Sequence, residues 1–342
     1  MFMNAAPCRR MTWCLIYALF EASMGKGEFI KEGFDMLRRK MLALFSTLAL
    51  TWIAAFPASA QQTRIGLGYS PAADFVPAFI AKDKGFFEKR NLDVTLTRVQ
   101  IASNVPSVLI SGSLQIGMGT APILLQAAEG GLGLVTISGA SRFKKENAMS
   151  ALVARSGLQI ANAGDLRGKK IGVPGFNSFF DVVLRKWLLN NKVALNQVTF
   201  VEAPFPQMKD LLKGGTLDAV AVIEPFRARV LADNTGYRVA DFVSEVQEDM
   251  LGAFWMTTGD WATANPQAIR AFREAYAEAI AYALQNPAEA KALEAKYLGV
   301  AGPVVPSYST EIKPADLDFF ATIGREIGSL RQSVDVSKLI WK

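Results

Sequence analysis

Two loops at corresponding places in the two halves of the chain carry residues suited to binding an anion. Each loop follows a short apolar strand and leads into a helix. The loops and helix starts contain Ser70, Pro71 and Phe75 in the first half, and Phe176, Asn177 and Ser178 in the second. Unpaired backbone N–H groups at a helix N-terminus, together with the helix dipole, favour a negatively charged ligand. The two loops therefore predict a small-anion site shared between the halves.

Helix capping is the alternative role for the polar residues of these loops. Ser70, Asp74 and Ser178 all have side-chain oxygens able to accept from the backbone N–H groups of a first helical turn. Asp181 stands three residues after Ser178 and completes the spacing of a capping box, so capping is the expected role of Ser178. For Ser70 and Asn177, capping and ligand contact both remain open.

Further candidates follow the later strands of each half. They are Thr120, Ala121, Ser141, Arg142, Glu224 and Trp255. Arg142 has the guanidinium that holds a sulfonate or carboxylate through two hydrogen bonds. The alternative, which we favour, is a solvated cation beside Lys144 and Lys145.

Glu224 and the aromatic residues favour a different ligand chemistry. Glu224 lies between an apolar strand and a proline, a place that suits a ligand amine or ring N–H, or an ion pair with Arg227 or Arg229. Most aromatic residues on such stretches belong to the core, so only Phe176 and Trp255 are expected to touch the ligand.

The sequence lacks the residues of several common catalytic sites. It contains no histidine, and both cysteines, Cys8 and Cys14, precede the segment expected to direct export. This excludes a Ser-His-Asp triad and a histidine base and, in the exported chain, a cysteine nucleophile, a disulfide and a cysteine metal site. Carboxylate or lysine catalysis remains open, although no paired arrangement stands out. We expect a protein that is not an enzyme and that needs no metal or cofactor.

Residues 36–60 are typical of an export signal. Arg38, Arg39 and Lys40 are followed by an apolar run over 41–56 and by small residues up to Ala60, after which cleavage is expected. The run is short for a membrane span of about 20 residues, which favours a periplasmic protein over a membrane-anchored one. Residues 1–35 are expected to be an untranslated upstream extension. Without residues 1–60, which hold seven Lys/Arg and four Asp/Glu, the net charge falls from +6 to +3 and no clustered basic run is present, so nucleic acid is not an expected partner.

The candidate residues require elements that bring the two halves together, and the sequence repeats such a unit. Leu109–Gly117 corresponds without a gap to Leu212–Val220, each typical of a helix end, a glycine C-cap and a short buried strand. Strands and helices alternate from Arg64 to about Val222, including a helix predicted over 75–89. This pattern predicts an α/β protein with two lobes and largely parallel sheets.

The lobes are predicted to be formed by separate parts of the chain. Residues 61–154 form the first part of lobe 1, residues 155–254 form lobe 2, and residues 255–342 return to lobe 1. A strand predicted over Gly252–Thr258 carries the chain back, and the part after it is helical with no sheet partner of its own. Crossings near Val153–Ser156 and Trp255–Gly259 make a two-strand hinge, which permits closure of a ligand cleft between the lobes.

Three segments together resemble one family. They are Ala81–Val94, Ser111–Gly117 and Asp165–Val173. They are similar to segments of the nitrate/sulfonate/taurine-type periplasmic substrate-binding proteins of ABC importers, a family with relatives that bind thiamine-pyrimidine precursors. The resemblance implies a type II periplasmic-binding fold whose two lobes close on one small molecule, and we expect the protein to be a monomer. It also implies delivery of that molecule to an inner-membrane permease with a cytoplasmic ATPase.

Three other functions compete with anion import. A planar heterocycle such as a pyrimidine precursor is the alternative ligand, favoured by Glu224 and the aromatic residues. Eukaryotic relatives that synthesise the thiamine pyrimidine depend on a histidine and a cysteine-rich motif, which this chain lacks. A ligand-sensing module requires a separate membrane receptor.

Overall fold

The structure is a computed structural model that describes residues 62–342. The predicted export signal and the predicted upstream extension lie outside these residues. The described strands are β1 Thr63–Tyr69, β2 Leu92–Arg98, β3 Ile116–Gly119, β4 Leu134–Lys144, β5 Ser150–Arg155, β6 Lys170–Val173, β7 Thr199–Glu202, β8 Ala219–Ile223, β9 Gly236–Ala240, β10 Asp249–Thr258 and β11 Ser307–Tyr308.

Helices follow most of the strands and cover both sheets. They are α1 Val76–Asp83, α2 Val105–Ile110, α3 Ala121–Glu129, α4 Phe179–Asn190, α5 Phe205–Lys213, α6 Phe226–Ala232, α7 Phe242–Val246, α8 Gly259–Ala264, α9 Pro266–Gln285, α10 Pro287–Leu298 and α11 Pro314–Glu326. Prolines open α9 and α10 at the first helical position, where a missing N–H leaves no bond unmade.

The strands form two separate sheets, which confirms the predicted two-lobed α/β architecture. The prediction of largely parallel sheets is wrong, because β10 runs antiparallel to β3 and β4, and β5 runs antiparallel to β8 and β9. The six-stranded sheet has the order β11-β4-β10-β3-β1-β2, and the five-stranded sheet has the order β7-β6-β8-β5-β9. We call the elements built on the first sheet the first lobe and those built on the second sheet the second lobe. The core of each sheet consists of short apolar strands buried on both faces, as helix-covered sheets require.

The repeated unit takes the same conformation in both lobes. In the first lobe β1 lies between β2 and β3, and all three strands are parallel; β6 lies in the same way between β7 and β8. Gly112 and Gly215, which precede the third strand of each unit, both have φ of +72°, a left-handed conformation that favours glycine. The duplication seen in the sequence is therefore a structural duplication.

The chain passes between the sheets earlier than the sequence predicts. The crossings lie at 145–149, between β4 and β5, and at 241–248, between β9 and β10. The apolar run of β5 is buried, so its periodicity does not reveal which sheet it joins; pairing with β8 and β9 places it in the second. The crossings run side by side, because the Lys145 N–H donates to the Glu248 carbonyl at 2.8 Å.

The C-terminal part packs on the first lobe but also contributes a strand, contrary to the prediction. α9 and α10 pack against α1, and α11 packs against α3. The two-residue strand β11 pairs with β4 at the edge of the six-stranded sheet, with Ser307 opposite Arg142 and Tyr308 opposite Ser141. A strand of this length has too few residues to show an alternating pattern.

Candidate functional site

A small cavity lies between the two lobes, where the loops after several strands meet. Its volume is about 30 Å³, room for roughly two water-sized groups. Its polar lining comprises Ser70, Asp74, Thr120 and Ser178. Its aromatic lining comprises Phe75, Phe143, Phe179, Phe180 and Phe205. The cavity therefore combines a few polar groups with apolar walls, which is the usual composition of a small-molecule site.

Asp74 is the ionisable side chain that lines this cavity within residues 62–342. It sits in a short 3-10 turn, Ala73–Phe75, that leads into α1, and it is 4% exposed. Its Oδ1 atom has no hydrogen-bond partner in the described part of the chain. Burial raises the pKa of Asp74 to about 6. The Ser141 hydroxyl is close enough to lower this pKa in part, but the two side chains do not form a hydrogen bond of ordinary geometry.

Thr120 and Ser178 bring two further unpartnered groups to the cavity. Thr120 precedes α3 and Ser178 precedes α4, and both residues are almost fully buried. Neither hydroxyl caps its helix, and neither has a hydrogen-bond partner in the described residues. Buried polar groups are nearly always hydrogen-bonded, so the convergence of two such hydroxyls on this cavity marks it as the candidate ligand site.

The predicted capping box at Ser178 is wrong. The Asp181 carboxylate accepts from the Asn177 N–H at 2.8 Å and from Arg185 Nε at 2.7 Å, one helical turn along. Asn177 adopts a left-handed conformation, with φ of +57°, and its N–H reaches Asp181. Since Arg185 and Asn177 hold Asp181, the Ser178 hydroxyl is left to face the cavity.

Four of the predicted site residues line the cavity, and the others lie elsewhere. The four are Ser70, Phe75, Thr120 and Ser178. Pro71 and Ala121 are buried beside lining residues, and Ser141 is buried close to Asp74. Phe176 is 41% exposed, and its N–H donates to the Glu202 carboxylate at 2.6 Å. Asn177 contributes the turn before α4 rather than a side chain to the lining.

Arg142 takes neither of the roles considered from the sequence. Its Nε donates to Asp249 at 2.6 Å, and its two terminal nitrogens donate to the Asp316 carboxylate at 2.9 and 3.1 Å. These two carboxylates raise the pKa of the guanidinium further. The side chain is 12% exposed, so Arg142 is a structural ion-pair residue that joins β4, β10 and α11.

Glu224 and Trp255 are also engaged away from the cavity. The buried Glu224 carboxylate accepts from Arg227 Nε at 2.7 Å, which is one of the alternatives considered from the sequence. Trp255 is fully buried, with its ring centroid 5.1 Å from that of Phe75 and 5.6 Å from that of Tyr276. Trp255 thus supports Phe75 from behind, and Phe75 lines the cavity.

Sequence reasoning missed Asp74 as a ligand contact and missed most of the aromatic wall. A signal for Asp74 was present, because it is the one charged residue between Arg64 and Lys82. Phe143 was harder to find, since it reaches the cavity beside a β-bulge at Gly252 in β10. A side chain at Gly252 would collide with the Phe143 ring, at 2.7 Å.

Comparison with known proteins assigns the family. A family described as NMT1/THI5 like matches residues 72–290, a range that contains Asp74 and most of the cavity lining. The chain belongs to the NMT1/THI5-like family. The resemblance seen in the sequence is thereby confirmed. Within the described residues, none of the helices combines the length and the hydropathy that a membrane span requires.

Two relatives show how this chain compares with longer and with equally long proteins. It is 28% identical over 244 residues to the nitrate import ATP-binding protein NrtC of Synechocystis, an alignment that covers 65% of this chain and 35% of the relative. The chain thus spans about a third of that protein. It is 24% identical over 318 residues to the putative aliphatic sulfonates-binding protein of Escherichia coli, covering 88% of this chain and 95% of the relative.

Solved structures show the same fold in binding proteins and in an enzyme. The periplasmic nitrate-binding protein NrtA from Synechocystis PCC 6803 has a TM-score of 0.72 and 17% identity, over 82% of this chain and 86% of that one. The desulfurization enzyme DSZB has a TM-score of 0.59 and 14% identity, over 82% of this chain and 96% of that one. The periplasmic-binding fold is therefore established for this chain, whereas the fold by itself does not separate binding from catalysis.

Proposed function

We propose that this chain is the periplasmic solute-binding component of an ABC import system. It captures a small ligand of the nitrate, sulfonate or taurine class between its lobes and delivers it to an inner-membrane permease. The observation that carries the proposal is the convergence of Asp74 Oδ1 and the Thr120 and Ser178 hydroxyls, from both lobes, on one cavity, where none of these oxygens has a hydrogen-bond partner within residues 62–342. A ligand that pairs these oxygens joins the two lobes, which is how a binding protein couples capture to closure.

The site supports binding rather than catalysis. Neither the Thr120 nor the Ser178 hydroxyl has a histidine to activate it as a nucleophile, because the sequence contains none. The two hydroxyls instead suit reversible hydrogen bonding, next to the N-termini of α3 and α4, which carry partial positive charge.

Three observations support the proposed compartment, the proposed permease partner and the proposed closure of the lobes. The export signal predicted at 36–60 favours a periplasmic location. Alignment with an ATP-binding protein of nitrate import favours an ATPase-driven permease as the partner. The adjacent crossings at 145–149 and 241–248 provide the two-strand hinge that ligand-driven closure needs. We propose that the protein acts as a monomer.

A planar heterocycle has less support than a small anionic solute. The two residues that favoured it in the sequence, Glu224 and Trp255, pair with Arg227 and pack behind Phe75.

A thermal-shift experiment tests the binding function. The full chain is expressed, its exported form is purified, bound ligand is removed by unfolding and refolding, and the melting temperature is recorded with nitrate, alkanesulfonates, taurine and pyrimidines. A ligand at about one hundred times its dissociation constant adds roughly 2.7 kcal/mol, which raises the melting temperature by several degrees. A rise with one of the first three classes supports the proposal. No rise with any of them contradicts the proposed ligand class.

A further inference from the structure

The charge inventory of the cavity contains an acid and no base. Asp74 lines it, and no lysine or arginine of residues 62–342 does so. Arg142, the cation among the candidate site residues, is already paired with the carboxylates of Asp249 and Asp316. An unpaired buried carboxylate is costly, and a group that donates hydrogen bonds or carries positive charge relieves that cost.

Among the described residues, the elements packed around Asp74 do not place a positively charged side chain next to its carboxylate. From α9, the Tyr276 hydroxyl lies 3.5 Å from the Asp74 carbonyl, and from β11 the Tyr308 hydroxyl lies 3.4 Å from the Ala73 carbonyl. Burial raises the pKa of both phenols, so they remain neutral. Glu294, whose pKa burial raises to about 7, is a further acid near Tyr308. Ser141 adds only a hydroxyl.

Asp74 is mostly ionised at neutral pH. With a pKa of about 6, its ionised form predominates above that pH. A ligand that only accepts hydrogen bonds, such as nitrate or a simple alkanesulfonate, therefore meets a negative charge in the cavity. Its binding requires Asp74 to take up a proton.

The Thr120 and Ser178 hydroxyls of the cavity suit a negatively charged group on a ligand. The Thr120 and Ser178 hydroxyls can donate, and both stand at the start of helices, α3 and α4, whose N-termini favour negative charge. The cavity thus offers an acceptor on Asp74 and donors on Thr120 and Ser178.

We infer that the ligand carries an amino group that binds Asp74, next to an acidic group that binds Thr120 and Ser178. This inference rests on the proposed binding function and narrows its ligand class. It places small amino-sulfonates and amino-carboxylates ahead of nitrate and of unsubstituted alkanesulfonates. Asp74 is then the residue that determines specificity, since it separates ligands that differ only in an amino group.

Matched ligand pairs test this inference. Dissociation constants are measured by calorimetry on the ligand-free exported protein for taurine against ethanesulfonate, and for β-alanine against propionate, with nitrate as a fifth probe. At pH 7.5 at least one amino member is expected to bind tenfold or more tightly than its partner. Its affinity is expected to fall as the pH drops below about 6, because protonated Asp74 no longer attracts an ammonium group.

The variant Asp74→Asn is expected to abolish this advantage while retaining the weaker binding of the partner lacking the amino group. Asp318→Asn, an exposed residue on α11, is the matched control and should leave all affinities unchanged. The inference is overturned if ethanesulfonate, propionate or nitrate binds at least as tightly as the amino ligands and gains affinity at pH 5. That result leaves the solute-binding function intact. No binding of any probe overturns the ligand class itself. If Asp74→Asn does not fold, the pH series on the unaltered protein decides.

Discussion

Asp74 is the residue at which the proposed ligand binding and the stability of the ligand-free protein make opposite demands. Its carboxylate is buried and lacks a partner at Oδ1 among the described residues, so the folded state disfavours its charge. Thr120 and Ser178 add buried hydroxyls in the same condition. Such groups are retained at functional sites, where the ligand restores the missing interactions.

Replacing Asp74 with asparagine is expected to stabilise the ligand-free protein at neutral pH. The pKa of Asp74 is raised in the folded state from 3.8 to about 6, so stability falls as the pH rises through this window. A rise of about two pKa units corresponds to at most about 3 kcal/mol above pH 6. Denaturant unfolding at pH 4 and pH 7.5 measures this, with Asp318→Asn as the control. An Asp74→Asn variant less stable than the parent at pH 7.5 would show that the charge is compensated.

Replacing Arg142 with alanine is expected to reduce stability without changing ligand affinity. The substitution leaves Asp316 and Asp249 without their cation, and breaking a largely buried pair costs about 3–5 kcal/mol. Urea unfolding gives the stability, and calorimetry on the folded fraction gives the affinity. Loss of affinity with little change in stability would instead place Arg142 at the ligand.

At the scale of elements, local signals predicted the repeated unit well and long-range pairings poorly. Gly112 and Gly215 mark the ends of α2 and α5. Pro266 and Pro287 mark the starts of α9 and α10. The helix predicted over 75–89 ends at Asp83, because Gly85 adopts a φ of +70° and the chain turns. The sheet that β5 joins depends on partners far along the chain.

The residues of the candidate site likewise divide into those predictable from local sequence and those that depend on distant partners. Ser70, Phe75, Thr120 and Ser178 were predictable because each follows a strand at the start of a helix, a position read from local sequence. Arg142 was not, since its partner Asp316 lies 174 residues away. The unpaired Ser178 hydroxyl depends on Arg185 holding Asp181, a side-chain choice that spacing alone does not reveal.

Gly139 in β4 tests the contact between the C-terminal segment and the six-stranded sheet. A Cβ atom there would lie 2.5 Å from the Ser309 carbonyl oxygen and 2.8 Å from that of Glu311. Gly139→Ala is therefore expected to displace the 309–311 segment and to lower stability by about 1–3 kcal/mol, measured by thermal unfolding. Gly133→Ala is the control, because a Cβ there meets nothing within 4 Å. Equal stability of the two variants would contradict the observed packing.

At the scale of the whole molecule, the two lobes meet around the cavity through both aromatic and polar contacts, and the Phe143 ring of the first lobe stacks on Phe179 of the second at 4.7 Å. The Ala73 N–H donates to the Glu224 carbonyl at 3.2 Å, and the Ser103 hydroxyl lies 3.3 Å from the Glu202 carboxylate. Lys186 on α4 pairs with Glu326 on α11. A ligand that joins Asp74 and Thr120 to Ser178 adds contacts across the same boundary and therefore favours closed lobes over separated ones.

The central claim is that a small solute bridges the lobes at this cavity. The most direct test is calorimetric titration of the unaltered protein and of the double variant Thr120→Val, Ser178→Ala. Ser113→Ala, an exposed serine, is the control. We predict one ligand of the nitrate, sulfonate or taurine class per chain, bound about tenfold more weakly by the double variant, because each hydroxyl contributes about 0.5–1.5 kcal/mol. Unchanged affinity in the double variant, or no binding by the unaltered protein, would contradict the account.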